Sequence, residues 1–218
     1  MPIVAAVFDA FGTIVQIERK HHPFRQLLRD GIEQGRRPTA ADIHTLMTSS
    51  LSLEEAAEHF GITVSPKRMN SLQDALDDEL ASITVYPDAI EAMRLLRSEG
   101  MAIGICSNLA QPFGPVLRDL FREVDGFALS YELGLMKPHA GIYREICHLL
   151  SVRPSWDMKA SSEQVVMIGD SLRCDQDGPR TIGIFGYHLD RTGAGRISSL
   201  TQFAELLVEQ QCRLKRGE

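Results

Sequence analysis

Apolar positions along the chain follow two patterns. PIVAAVFD, MAIGICSN and QVVMIGD are continuous runs rich in Val and Ile that end on polar residues. They show no alternation, so both faces must be buried, as in strands of a parallel sheet. GIFGYHLD is a fourth, weaker run of the same kind. Helical periods lie between the runs. DAIEAMRLLRSEG puts Ile90, Met93, Leu95 and Leu96 on one side, follows Pro87 and stops at Gly100, where a capping glycine is expected. HAGIYREICHLLSV spaces Ile142, Ile146, Leu149 and Leu150 in the same way. Strands alternating with helices predict βαβ units with right-handed crossovers, hence an α/β fold with a doubly wound parallel sheet.

From Gln16 to Ile83 the strand pattern disappears. HPFRQLLRDGIEQG, TAADIHTLMTS, SLEEAAEHFG and SPKRMNSLQDALDDELASI each carry a helical period with Ser, Thr or Pro near the start. They predict an all-helical insertion over residues 16–83, between core segments 1–15 and 84–218. QQCRLKRGE reads as a frayed tail and Trp156 as a lone aromatic in a loop. RTGAGR reads as a flexible connection, because no strand-turn-helix context fits a phosphate-binding loop.

Composition narrows the function classes. With 218 residues, 44% of them hydrophobic, the chain can bury a substantial core. Its formal net charge of -6 offers no broad attraction to nucleic acid or to an anionic membrane. Cys106, Cys147, Cys174 and Cys212 form no close pair, which argues against a zinc knuckle or redox pair and for reduced thiols. The N-terminal apolar run stops at Asp9, and no stretch approaches the roughly 20 apolar residues of a spanning helix. The expectation is a cytoplasmic protein with a small-molecule substrate, a monomer or homodimer.

Ligands of open parallel sheets bind beyond the carboxyl ends of the strands. Those positions carry Asp9, Gly12 and Thr13 after the first run, Ser107 and Asn108 at the end of the second, and Gly169, Asp170 and Ser171 at the end of the third, with Asp175 further on. Lys137 stands beside Pro138 in the intervening YELGLMKPHAGIY. A carboxylate can attack an electrophile, hydroxyls and backbone amides can hold the transferred group, and a lysine can offset negative charge. Asp170 and Asp175 would seat a hard cation such as Mg²⁺. Together these are parts for phosphoryl transfer. Asp177 reads as solvation of a helix start, and His44, His59 and His148 as structural or exposed helix residues.

FDAFGT, ICSN, KP and GDSLRCD occur in the order of the four motifs of the haloacid dehalogenase (HAD) superfamily, which the chain resembles over nearly its whole length. The resemblance implies a Rossmann-like core with the helical insertion as a C1 cap. It implies that Asp9 is the nucleophile of a covalent aspartyl intermediate and that Thr13, Ser107 and Asn108 orient the substrate. Lys137 would stabilise Asp9 and the transferred anion. Asp9, Asp170, Asp175 and the backbone carbonyl of Phe11 would hold Mg²⁺.

Two motifs point to different branches. Phosphatases of this superfamily usually carry a second aspartate two residues after the nucleophile, which protonates the leaving alcohol and then activates water. Phe11 does neither. The DAFGT form resembles the 2-haloacid dehalogenase branch, in which halide leaves without a proton, and Tyr143 fits that branch too. Those dehalogenases need no metal and place Ser and Asn where this chain has Asp170 and Leu172. Their carboxylate-gripping arginine has no assigned counterpart among Arg25, Arg36 and Arg37.

Losing a general acid costs about a hundred- to ten-thousand-fold in rate, which an activated leaving group tolerates. Facing carboxylates repel unless a cation joins them, so retaining them without a metal is harder to explain. The expected function is Mg²⁺-dependent hydrolysis of a small phosphorylated metabolite. The alternatives are a metal-independent 2-haloacid dehalogenase and a non-catalytic binding protein of the same fold. His21 and His22 lie at the entry to the insertion, as candidates to replace the missing acid/base or as solvated linker residues.

Overall fold

The computed structural model describes residues 2–154 and 163–216, so Trp156 lies outside the described residues. The chain first forms β1 (Ile3–Phe8), β2 (Val15–Ile17), α1 (Pro23–Glu33), α2 (Ala40–Thr48), α3 (Leu53–His59) and α4 (Pro66–Ala81). Then come β3 (Ile83–Val85), α5 (Pro87–Ser98), β4 (Ala102–Ser107), α6 (Phe113–Leu120), β5 (Gly126–Leu129) and α7 (Ser130–Leu133). The remainder is α8 (Ala140–Leu149), β6 (Gln164–Gly169), α9 (Gly178–Arg180), β7 (Phe185–His188) and α10 (Leu200–Arg216), with a π-helical turn over Leu172–Asp177.

Five strands form one parallel sheet in the order β5-β4-β1-β6-β7. The chain winds outward from β1 to β4 and β5, then returns across it to β6 and β7. The winding direction reverses at β1, which puts the ligand crevice at the carboxyl ends of β4, β1 and β6. All four apolar runs are strands of this sheet. The fifth strand, β5, is only Gly-Phe-Ala-Leu, too short a run to stand out in the sequence.

β1 is buried on both sides, which explains its lack of alternation. Ile3, Ala6 and Phe8 face one core with Leu96 of α5 and Phe203 of α10, while Ala5 and Val7 face another with Ile142 and Ile146 of α8. The helix faces differ in part from the sequence reading. On α5 the buried residues are Ala89, Ala92, Met93 and Leu96, whereas Ile90 is 38% exposed. Alanines allow close packing on the sheet, so small residues define this face where size suggested Ile90. Leu149 of α8 likewise points outward.

The predicted tail is also corrected. α10 continues to Arg216, and within it Gln211 is buried, its side-chain oxygen accepting from the Ile3 amide at 2.8 Å. That bond satisfies the start of β1, a long-range partner that no local pattern reveals.

β2 and β3 pair antiparallel, with Val15 opposite Val85 and Ile17 opposite Ile83, and α1 to α4 lie between them in sequence. Leu27, Leu53, Leu72 and Leu76 form the core of these helices, joined by Ala110 and Phe113 from the segment after β4. Local signals set the helix starts. Ser52 and Glu55 make a reciprocal capping box, and Ser65 accepts from the Arg68 amide with Pro66 in the first turn. No helix among the described residues is long and apolar enough to cross a membrane.

Candidate active site

Asp9 emerges from β1 and Asp170 from β6, and the adjoining backbones are joined by the Asp9 amide, which donates to the Ile168 carbonyl at 3.0 Å. Two glycines let the loops close around them. Gly12 has φ +80°, and a Cβ there would lie 2.2 Å from Asp170 Oδ2. At Gly169 a Cβ would lie 2.4 Å from the Asp175 carboxyl. Both positions need the absence of a side chain, and the result is a tight group of acids.

Lys137 crosses into this group from the segment before α8. Its Nζ donates to Asp9 Oδ1 at 2.7 Å and to Asp175 Oδ1 at 2.6 Å, and its side chain is only 2% exposed. Burial pushes the ammonium pKa down, but Asp9 and Asp175 outweigh that and hold it above its ordinary value. Burial pushes the Asp175 carboxyl up, further than Lys137 pulls it down, and Asp9 adds to the rise. Asp170 is likewise raised, by burial and then by Asp9.

One oxygen from each of Asp9, Asp170 and Asp175 lies within 4.8 Å of the others. Lys137 bonds only two of the three, and Asp170 has no ion-pair partner among the described residues. Three carboxylates against one ammonium leave an excess of negative charge. An all-oxygen donor set of this kind fits Mg²⁺. The Phe11 carbonyl accepts no hydrogen bond among the described residues and so is free to join that set.

The expected substrate-orienting residues divide into two groups. Thr13 is fully buried, and its Oγ1 has no hydrogen-bond partner among the described residues, a deficit that a bound anion would relieve. Ser107 is buried at the end of β4. Asn108 instead engages the Lys137 backbone, accepting from its amide at 2.7 Å and donating to its carbonyl at 2.9 Å. This fixes the segment that delivers the lysine. Tyr143 is buried and donates to the Cys174 carbonyl at 2.6 Å, bracing the turn that carries Asp175.

A family model for haloacid dehalogenase-like hydrolases matches residues 3–183. The chain belongs to the haloacid dehalogenase-like hydrolases. It is 28% identical over 171 residues to (S)-2-haloacid dehalogenase 1 of Pseudomonas sp., covering 71% of this chain and 74% of that one. It is 30% identical over 121 residues to the glyceraldehyde 3-phosphate phosphatase of Methanopyrus kandleri, covering 53% of this chain and 47% of that one. It spans 40% of the length of a further relative, an uncharacterized protein of Saccharomyces cerevisiae, with 34% identity over 120 residues. Among solved structures, a HAD phosphatase from Thermococcus onnurineus superposes with a TM-score of 0.64 at 21% identity, covering 94% of this chain and 98% of that one. The relatives thus include dehalogenases and phosphatases.

In this HAD-like hydrolase an apolar cavity of about 360 Å³ is lined by Phe11, Asn108 and Leu109 from the sheet side and by Phe24, Leu28 and Leu46 from α1 and α2. The Phe11 and Phe113 rings meet edge to face at 5.5 Å. The two candidate histidines separate here. His21 Nε2 lies 2.6 Å from Asp78 Oδ2, and His21 does not line this cavity, whereas His22 does. Of the candidate arginines, Arg25 lines the cavity, Arg36 is held by Asp42, and Arg37 is exposed.

Three anchors escaped the sequence reading. Arg191, the first residue of RTGAGR, donates to the Thr13 carbonyl at 2.6 Å, grips both Asp88 oxygens and lies over the Tyr86 ring, so the expected flexible connection is tied down at that end. The buried Glu79 Oε2 accepts the amides of His21 and His22, each at 2.6 Å, clamping the entry to α1 against the exit of α4. Asp88 also accepts from the Leu200 amide. These pairs are separated by tens to more than a hundred residues, and none belongs to a local motif.

Proposed function

We propose that this chain hydrolyses a small phosphorylated metabolite in a Mg²⁺-dependent reaction through a covalent intermediate on Asp9. The observation that carries this reading is the triad of Asp9, Asp170 and Asp175, whose oxygens converge while Asp170, on its exposed side, forms no ion pair among the described residues. Asp9, Asp170, Asp175 and the Phe11 carbonyl would hold the ion, which supplies charge neutralisation to the transferring phosphoryl group.

The Asp9 carboxylate attacks phosphorus, the bond to the leaving oxygen breaks, and its electron pair stays with that oxygen. Lys137 holds the Asp9 carboxyl in place and offsets the charge of the phosphoryl oxygens. The Thr13 hydroxyl and the Ser107 side chain orient the group. Water then attacks phosphorus and returns the Asp9 carboxylate, the water protons passing to phosphate or solvent. In this reading α1 to α4 act as a cap whose closure limits water at the first step and admits it at the second.

A second reading is metal-independent dehalogenation of a 2-halo acid, which the apolar wall at Phe11 and the presence of Arg25 in the cavity favour. There Asp9 attacks carbon, halide leaves with the bonding electrons, and water cleaves the ester at the Asp9 carboxyl carbon. Turnover in heavy-oxygen water separates the two. The phosphatase reading expects the label in released phosphate and none in Asp9, whereas labelled Asp9 with halide release would overturn it.

A further inference from the structure

The cavity at Phe11 constrains the part of the substrate that leaves. None of the three acids lines the cavity, but two of its wall residues come from the segments that carry the site: Phe11 is two residues from Asp9, and Asn108 fixes the Lys137 backbone. Its size falls within the range of small-molecule pockets. Phe24, Leu28, Leu46, Met47 and Phe113 complete most of the lining. A polyol in such a cavity would lose its bonds to water and find few in return, whereas each added methylene-sized apolar group is worth about tenfold or more in kcat/KM.

The ionisable groups at the cavity are His22, Arg25 and Glu79. Glu79 is 3% exposed, and its Oε2 is already engaged by two backbone amides at the entry to α1. A guanidinium such as that of Arg25 offers hydrogen-bond donors and no acceptor. Phe11 offers an aromatic ring packed on Phe113, with nothing to donate. His22 sits at the start of α1 in a left-handed conformation at φ 56°, with its amide held by Glu79.

We propose that this cavity is the leaving-group subsite, and that the group it takes is apolar and departs from phosphorus as an aryl or acyl oxyanion without receiving a proton. This rests on the phosphatase reading above. The bond broken is P–O, the electron pair remains on the leaving oxygen, and delocalisation into the ring or carbonyl stabilises the charge.

The test is phosphate release with Mg²⁺ from naphthyl, phenylethyl, acetyl and glycerol phosphates. Naphthyl phosphate should exceed phenylethyl phosphate in kcat/KM by about a hundred- to ten-thousand-fold, the usual worth of a missing general acid. It should also exceed acetyl phosphate by about tenfold or more through its apolar contacts. Phe11→Asp places a carboxyl on the cavity wall and should narrow the naphthyl-to-phenylethyl gap by about tenfold or more. Ile43→Asp, at a half-exposed cavity position, should lower the naphthyl-to-acetyl ratio about tenfold. Preference for glycerol phosphate would overturn the proposal. So would a gap unchanged in folded Phe11→Asp, or a His22→Ala variant that slows phenylethyl phosphate more than naphthyl phosphate. Those results leave the phosphatase reading standing, whereas no phosphate release from any of the four would overturn both.

Discussion

Lys137 Nζ lies 2.6 Å from Asp175 Oδ1 across 38 residues of sequence, and the two side chains are 2% and 1% exposed. Removing one partner of a buried ion pair leaves an uncompensated charge and costs about 3–5 kcal/mol. Lys137→Met should therefore lower the urea midpoint and abolish turnover together. Lys137→Arg should not restore turnover, because a planar guanidinium does not replace a compact ammonium between two acids. An unchanged midpoint in Lys137→Met would contradict the buried geometry.

The raised carboxyls give a pH dependence of definite sign. In the folded chain Asp175 is pushed from 3.8 up to about 6, so its contribution to stability is present below pH 3.8 and lost as pH rises through 6. Without divalent cations, the thermal midpoint should show this loss between about pH 4 and 6, and Asp175→Asn should flatten it. Added Mg²⁺ should offset the loss and bind more tightly as pH rises, since its ligands must first give up protons. Mg²⁺ affinity that is independent of pH, or unchanged in Asp170→Asn, would contradict the ligand set.

Much of the α/β layer was legible because four of its five strands are uninterrupted apolar runs, and the candidate site residues could be named because Asp9, Ser107, Lys137 and Asp170 each sit next to a strand or a proline. Spatial neighbours were less visible. Nothing around Arg191 in RTGAGR announces its bond to the Thr13 carbonyl, and Gln211 meets Ile3 only once α10 packs. Asn108 illustrates a different limit. Its position was foreseen, but its engagement with the Lys137 backbone depends on two loops meeting.

The helical insertion carries an acid-sensitive staple. Asp42 is buried at the start of α2, accepts both Arg36 nitrogens at 2.6 and 2.9 Å, and caps Thr39, so Arg36 holds its carboxyl far below the usual range. The stability it supplies is present above pH 3.8 and lost as pH falls below that value. Thr39→Ala should cost about 1 kcal/mol at neutral pH. Asp42→Asn should remove part of the acid-induced loss, measured by hydrogen exchange of α2 amides; identical acid profiles in wild type and variant would contradict the staple.

The most direct measurement supplies aryl phosphates and 2-chloro acids in parallel, with Mg²⁺ or with EDTA, and follows phosphate and halide release. The expected result is phosphate release that requires Mg²⁺ and disappears in Asp9→Asn. Halide release unaffected by EDTA, with no phosphate released, would contradict the assignment of Asp9, Asp170 and Asp175 to a metal-dependent phosphatase.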